Sequence, residues 1–544
     1  MKICTLLLAL LLCACSPVSR TFYMDSLTGD DSNTGNSPST AWKSLKKLNE
    51  QMFEPGDRIL FKSGTEYIGQ FEPKGSGSKE MPVIVSSYEE GKKPVLHGNG
   101  LKQHTVLLEG IEYWEVNNLE ITNKGEKPDP GRNGVIIYAW DKGDVHHIHL
   151  KNLTVHDVNG SCIKNEGAGN GIYWHNGGEE VPTRFVDLLI ENCHIYRCHR
   201  NGITGNGNSG RDKWFPSLNV VIRGNLIEQV PGDGIVPIAC DGALVEHNVV
   251  RDSPDLLRIE DAAAGIWPWS CDNTIIQFNE VSGQFAKWDA QGFDSDYNCR
   301  NTLIQYNFSH DNAGGFVMVC NEGNSLGEPY NIGTENTIIR HNVSINDGLR
   351  PYPTRPGWFS PVIHISGPAK QTAIEDNVIV IMKKPSPDID RSVLVMDNWG
   401  GPWAENTVFK RNIFYVMNDE LQYKFVTGNS INTKFEGNTY YGNFIDRPED
   451  SSAVEKELDL LSSFPFHKEF PEYLREKVLD RLKQSTDQAK IEYSLTKIGI
   501  RCDNPKKLSI FAACIVPGLY SQERIKRESG ENPGQSRCCK LHNG

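Results

Sequence analysis

No Cys-x-x-Cys pair occurs anywhere in the 544 residues, although the chain carries 14 cysteines. That absence excludes the common paired spacing of a zinc site, and the thiols are too thinly spread for a small disulfide scaffold. Cys193 and Cys198 could pair in an oxidising compartment or serve as small buried hydrophobes. Positive charge is also scarce. The 56 Lys and Arg stand against 69 Asp and Glu, for a net charge of −13, which excludes the basic surface that nucleic acid requires. Beyond the start of the chain no apolar run approaches the roughly 20 residues needed to cross a hydrocarbon core.

What is present begins with an export segment: Lys2, the apolar run Leu6 to Leu12, then Cys13, Ala14 and Cys15. The last four residues, Leu12 to Cys15, resemble the lipobox of bacterial lipoproteins, which implies cleavage and lipidation at Cys15. The protein is therefore expected to be exported, lipid-anchored to a bacterial membrane on its outer-membrane, periplasmic or cell-surface side, and otherwise a monomer without membrane contact.

An internal repeat sets the fold. Asn followed by strand-like residues recurs at 118, 152, 192, 225, 248, 279, 307, 342, 377, 412 and 438, with spacings of 23 to 40 residues. So irregular a period suits coils whose strands stack while their turns vary in length. Stacked at one bend, such Asn residues can take left-handed backbone geometry and bond to one another as a ladder. A second series, Gly134, Gly171, Gly202, Gly234, Gly265, Gly292 and Gly315, opens another strand of each coil. Cys240, Cys271, Cys299 and Cys320 follow it at five to seven residues, which predicts a buried column of thiols.

The expected architecture is an all-β right-handed parallel β-helix of about ten or eleven coils over residues 95–445. Residues 22–94 supply an N-terminal cap and first strands, with a short helix over 42–51. A helical appendage over 446–520 and a disordered tail over 521–544 complete the chain.

Strand alternation then selects the outward residues. In Gly-Ile-x-x-x the third and fifth positions are expected to be exposed: Tyr173 and His175, Thr204 and Asn206, Val236 and Ile238, Trp267 and Trp269, Asp294 and Asp296, Val317 and Val319. Two indoles on one coil beside two carboxylates on the next suggest a sugar platform next to an acid pair. Asp294 and Asp296 are the expected catalytic residues, since glycoside hydrolysis needs one acid and one base or nucleophile. Trp267, Trp269, His175, His310, Asp233 and Asp289 are the expected substrate contacts, and Asp233, Asp289 and Glu322 stand next in line as acids. Asp289 and Asp311 also read as turn formers. No cofactor is required, but Asp289, Asp294 and Asp296 could instead hold calcium.

The export signal, the cap segment with Pro55-Gly56-Asp57 and Gly64-Thr65, and the Asn-marked coils together resemble the pectin-lyase-like superfamily over roughly residues 22–445. That resemblance implies the fold and a poly- or oligosaccharide partner, and leaves the chemistry open. Within the coils there is no Asn-Thr-Asp, Asp-Asp, Gly-His-Gly or Arg-Ile-Lys, the motif set of the galacturonan hydrolases of this fold. Where calcium-dependent lyases carry a Lys base, in a segment like Gly-Phe-Lys, this chain has Gly315-Phe316-Val317. The nearest general likeness is to β-helix glycosidases such as glycoside hydrolase family 141. Three functions remain in view: a glycosidase cutting plant or host polysaccharide, a cation-dependent lyase on uronate-containing glycan, and a glycan-binding surface lipoprotein without catalysis.

Overall fold

The computed structural model describes residues 19–259, 261–350, 353, 357–381, 388–416 and 421–454. The export segment with Cys15, nearly all of the expected helical appendage and the expected tail lie outside them.

The described chain winds into a right-handed parallel β-helix with three faces. One face is a fifteen-stranded sheet and the second a thirteen-stranded sheet. The third is divided into five strands and six strands, joined by single bridges from Ile235 to Ile266 and from Ile266 to Phe293. Parallel pairing already starts at Thr21–Met24 against Arg58–Lys62. Thirteen strands on one face exceed the ten or eleven coils expected, because the first two, Glu66–Ile68 and Val95–His97, carry no Asn mark. The predicted cap helix is a single turn, Leu45–Asn49, capped by the Ser44 hydroxyl, which accepts from the Lys47 amide at 3.2 Å. It buries Leu45 and Leu48 in the core.

In-register stacking explains the core. Ile190, Ile222, Val245, Ile276, Ile304, Ile339, Ile374, Phe409 and Phe435 face one another coil by coil, all buried. Each such side chain contributes about 1.5–3 kcal/mol. The Gly series has a spatial cause. A Cβ on Gly234 would come within 2.5 Å of the Gly265 carbonyl oxygen, and one on Gly265 within 2.5 Å of the Gly292 carbonyl oxygen. No side chain fits between these coils.

The Asn ladder forms, in part displaced from the expected frame. From Asn225 the side-chain amides run in an unbroken series through Asn248, Asn279, Asn307, Asn342, Asn377, Asn412 and Asn438 to Asp450, each donating to the next at 2.9–3.0 Å. The left-handed residue is the one before each rung, such as His247, Phe278 and Tyr306. Asn118, Asn152 and Asn192 occupy that left-handed position themselves, with φ of 54–59°. The buried rung position after them is Leu119, Leu153 or Cys193.

The strand frame slips once more at Gly315. Phe293 pairs with Val317, and Ser295 with Val319, so Val317 and Val319 are core residues rather than exposed ones. Met318 takes the position in register with Asp294. Cys240, Cys271 and Cys299 do stack as buried thiols, the Cys240 amide donating to the Cys271 sulfur at 3.3 Å. Cys193, Cys198 and these three are unbridged. Cys320 leaves the column and turns to the site.

Candidate active site

The third face carries two parallel columns that run across the coils. One holds Ile136, Tyr173, Thr204 and Val236, continued by Trp267, Asp294, Met318 and His364. The other holds Tyr138, His175, Asn206, Ile238 and Trp269, continued by Asp296, Cys320, Ser366 and Asp397. Sequence alternation thus puts the Trp pair and the Asp pair on one face, two residues apart on adjacent coils. A groove of about 650 Å³ opens over the first half of this face, a size suited to a small ligand. Tyr173, His175, Asp233, Trp267, Trp269 and Lys164 line it.

The face is less open than alternation implied. Thr204, Val236, Trp267 and Asp294 are all buried, because chain between the coils returns over them. Lys164, in the short turn Lys164–Glu166, lies with its ammonium 5.1 Å from the centre of the Trp267 ring. Trp267 packs with Val236 and Ala264, and its ring centre lies 6.3 Å from that of Trp269. The exposed aromatic surface therefore lies further along the face. Trp269, Tyr297 and the exposed Trp399 follow one another at 6.3 and 6.4 Å, flanking Asp296. Trp399 lies just past the Ser392–Asp397 strand, where no periodicity marks it in the sequence.

Asp233 is a clamp rather than an open acid. One oxygen accepts from the Trp267 indole at 3.0 Å and the Ala264 amide at 3.2 Å, and the other meets the buried Arg200 guanidinium at 2.5 Å. Burial works against the carboxylate, but Arg200, Lys164 and these hydrogen bonds hold it below the usual Asp range. An amide ladder of Asn201, Asn170 and Asn133 extends from Arg200 along the groove floor at 2.7–3.1 Å.

Three further carboxylates converge beyond the Trp pair. Asp289 sits in the bridge Trp288–Asp289 with φ of 58°, so it both turns the chain and faces the cluster. Burial first, then the Asp296 charge, push its carboxyl up to about 6, with Lys164 and His364 opposing. Asp294 is raised well above the Asp range by burial, then by Asp296 and Asp289, and its Oδ1 has no hydrogen-bond partner. Asp296 is partly open. Burial raises it, while the Cys320 thiol at 3.1 Å and the Tyr297 amide at 2.6 Å both donate to it. The Cys320 thiol is itself pushed well above the usual thiol range, first by burial and then by Asp296, so it stays a donor. On the next coils His364 and Ser366 both bond Asp397, the imidazole at 3.0 Å.

The structure gathers Asp233, Asp289, Asp294, Asp296, Trp267, Trp269 and His175 on one face. His310 is placed elsewhere: it belongs to the thirteen-stranded sheet, tied to Glu280 at 3.1 Å and Asp311 at 2.8 Å. Sequence reading passed over Arg200, Cys320, His364 and Trp399. Cys320 and His364 were findable once the register slip at Gly315 is seen. As a cation site, the ligand atoms of Asp294, Asp296 and Cys320 lie within 4.8 Å of one another, whereas calcium takes six to eight oxygens.

Comparison with known proteins agrees with this fold. A family model described as the right-handed beta helix region matches residues 133–348. A lacto-N-biosidase from Bifidobacterium longum subsp. longum is 28% identical over 533 residues, covering 80% of this chain and 31% of that protein. The alpha-1,3-galactosidase A of Akkermansia muciniphila is 32% identical over 232 residues, covering 42% of this chain and 30% of that protein. The chain thus spans about a third of the length of these curated relatives. The crystal structure of the GH136 lacto-N-biosidase from Eubacterium ramulus superposes with a TM-score of 0.58 at 26% identity, covering 73% of this chain and 68% of that one. The chain is a right-handed parallel β-helix protein of pectin-lyase-like architecture.

Proposed function

We propose that the protein is a glycoside hydrolase acting on oligosaccharide or polysaccharide chains, with Asp289 as proton donor and Asp296 as nucleophile or base. The observation that carries this reading is the inequality of the acids in the cluster. Asp289 is held near 6 in a partly open position, Asp296 is partly open and accepts from two donors, and Asp294 is closed off and pushed well above the usual Asp range. Such splitting of pKa values among neighbouring carboxyls is the condition for acid and base roles in one site. The pairing replaces Asp294 by Asp289, since an acid enclosed on all sides cannot reach a glycosidic oxygen.

In this reading a sugar stacks on Trp269 and Trp399, whose flat apolar faces suit its C–H surface. Asp289 protonates the leaving oxygen as the C–O bond breaks, while Asp296 attacks the anomeric carbon or takes a proton from the water that does. Lys164 offsets the carboxylates and keeps Asp289 from rising further. No cation enters the reaction. The names of the relatives support the class of reaction and suggest the substrates to try first. Export and lipid anchoring at Cys15 would place the activity where extracellular glycans are met.

The test is release of sugar from an aryl lacto-N-bioside, an α-1,3-linked galactoside and a panel of plant and host polysaccharides. Wild type and Asp296→Asn are compared with and without chelator. Chelator-insensitive release that falls by at least a thousandfold in the variant is expected. Equal release by both proteins would exclude Asp296, and release abolished by chelator would favour a cation-dependent lyase.

A further inference from the structure

On the outer face of the fifteen-stranded sheet, a second cluster is assembled by a backbone irregularity. Pairing runs from His146 opposite Val186 to Ile148 opposite Leu188 with the register kept, so His147 and Asp187 leave the ladder together at one stacked bend. Both have left-handed backbones, with φ of 52° and 66°, and Tyr113 and Asn219 repeat the feature in the coils on either side. Regular alternation would put only every second residue outside. The stacked left-handed bend instead turns out His146, His147 and His149 while Val145 and Ile148 stay in the core.

We propose that Glu115, His147 and His149 form a binding site for a divalent transition-metal ion, with Asp187 orienting both imidazoles, so that the site staples three successive coils together. The four residues come from adjacent strands, Trp114–Asn117, Asp144–Lys151 and Arg184–Glu191. One ligand atom each from Glu115, His147 and His149 lies within 4.8 Å of the other two. Asp187 faces both rings, at 2.7 Å from His147 Nδ1 and 3.1 Å from His149 Nε2. His147 Nε2 lies 3.4 Å from Glu115 Oε1. The two ring centres are 3.8 Å apart, close packing that a shared ion would reward. Lys151 holds the other Glu115 oxygen at 2.8 Å, which fixes the carboxylate with Oε1 toward the rings. All four side chains are partly exposed, so an ion can enter from solvent. Two imidazole nitrogens with the Glu115 carboxylate, and a second carboxylate hydrogen-bonded to the rings, suit zinc and its neighbours in the first transition row, and not calcium or magnesium, which take oxygen.

The test uses the full chain, stripped with chelator and titrated calorimetrically with zinc chloride. Wild type should bind one zinc more per chain than His147→Ala/His149→Ala. Glu115→Gln and Asp187→Asn, which keep side-chain shape, should weaken that site at least tenfold, and His146→Ala should leave it intact. Zinc should raise the melting temperature of wild type and not of the double variant. Equal stoichiometry in wild type and all the variants would overturn the proposal, as would a wild type that binds no zinc. Should the double variant fail to fold, Glu115→Gln and Asp187→Asn decide the matter. Glycan hydrolysis does not enter these readouts, so the result is independent of the proposed reaction.

Discussion

Asp289 carries the sharpest prediction at the scale of single residues. Its carboxyl is raised, so it is protonated below about pH 6 and loses its proton as pH rises through that value. Activity on natural glycans should therefore fall on the alkaline side with an apparent pKa near 6. In Asp289→Asn that limb should vanish, and turnover of natural substrates should drop by about 10²- to 10⁴-fold, the usual worth of a general acid. Aryl glycosides with good leaving groups should be largely spared. Initial rates on both substrate types across pH 4–9 check this, and equal loss on both would place the acid elsewhere. The sequence showed the two strand Asp residues because strand interiors disfavour Asp. It placed Asp289 only next in line as an acid, because a turn Asp in left-handed geometry has a sufficient local reason to exist. Trp399 was hidden for a related reason: an aromatic residue after a strand carries no periodic signal.

Among the elements, the ladders are where sequence and energetics meet. Asn342 accepts from the Asn307 backbone and side-chain amides at 2.9 and 3.0 Å and donates to Asn377 and the Ile304 carbonyl. Asn342→Ala would leave several buried polar groups unpaired, at about 1–3 kcal/mol for each. Urea unfolding should show a loss of at least about 2 kcal/mol, while a loss below 0.5 kcal/mol would mean that water replaces the rung. A shorter ladder runs from Gln284 through Asn312 to Asp347, whose buried carboxylate position accepts from Asn312 at 2.9 and 3.0 Å and from Ser344 at 2.7 Å. Burial pushes Asp347 up to about 7. Its folded value lies above the unfolded one of about 3.9, so its favourable contribution is complete below that lower value and is lost as pH rises through about 7. Asp347→Asn should keep the ladder bonds and flatten this decline, so that the variant gains on wild type between pH 5 and 8 in thermal melts. An unchanged pH dependence would contradict the assignment. The long ladder was legible as recurring Asn, but its frame was not. Asn is favoured both at the rung and at the left-handed residue before it, so Asn192 and Asn225 look alike in sequence while standing one position apart.

For the whole molecule, the fold could be read with most confidence because stacking repeats the same requirement in every coil. The chemistry could be read least, since it depends on one register slip at Gly315 and on chain that returns over the face. The parallel β-helix supplies a rigid face along which glycan can lie, and the acid cluster at one end of the groove is where cleavage is assigned. Reaction in water enriched in oxygen-18 tests that assignment most directly, using whichever glycan the wild type cleaves, with products read at once by mass spectrometry. The account predicts one heavy oxygen at each new reducing end, formed by wild type, and at least a thousandfold less product from Asp296→Asn. Unsaturated products without heavy oxygen, or heavy-oxygen incorporation undiminished in the variant, would contradict it.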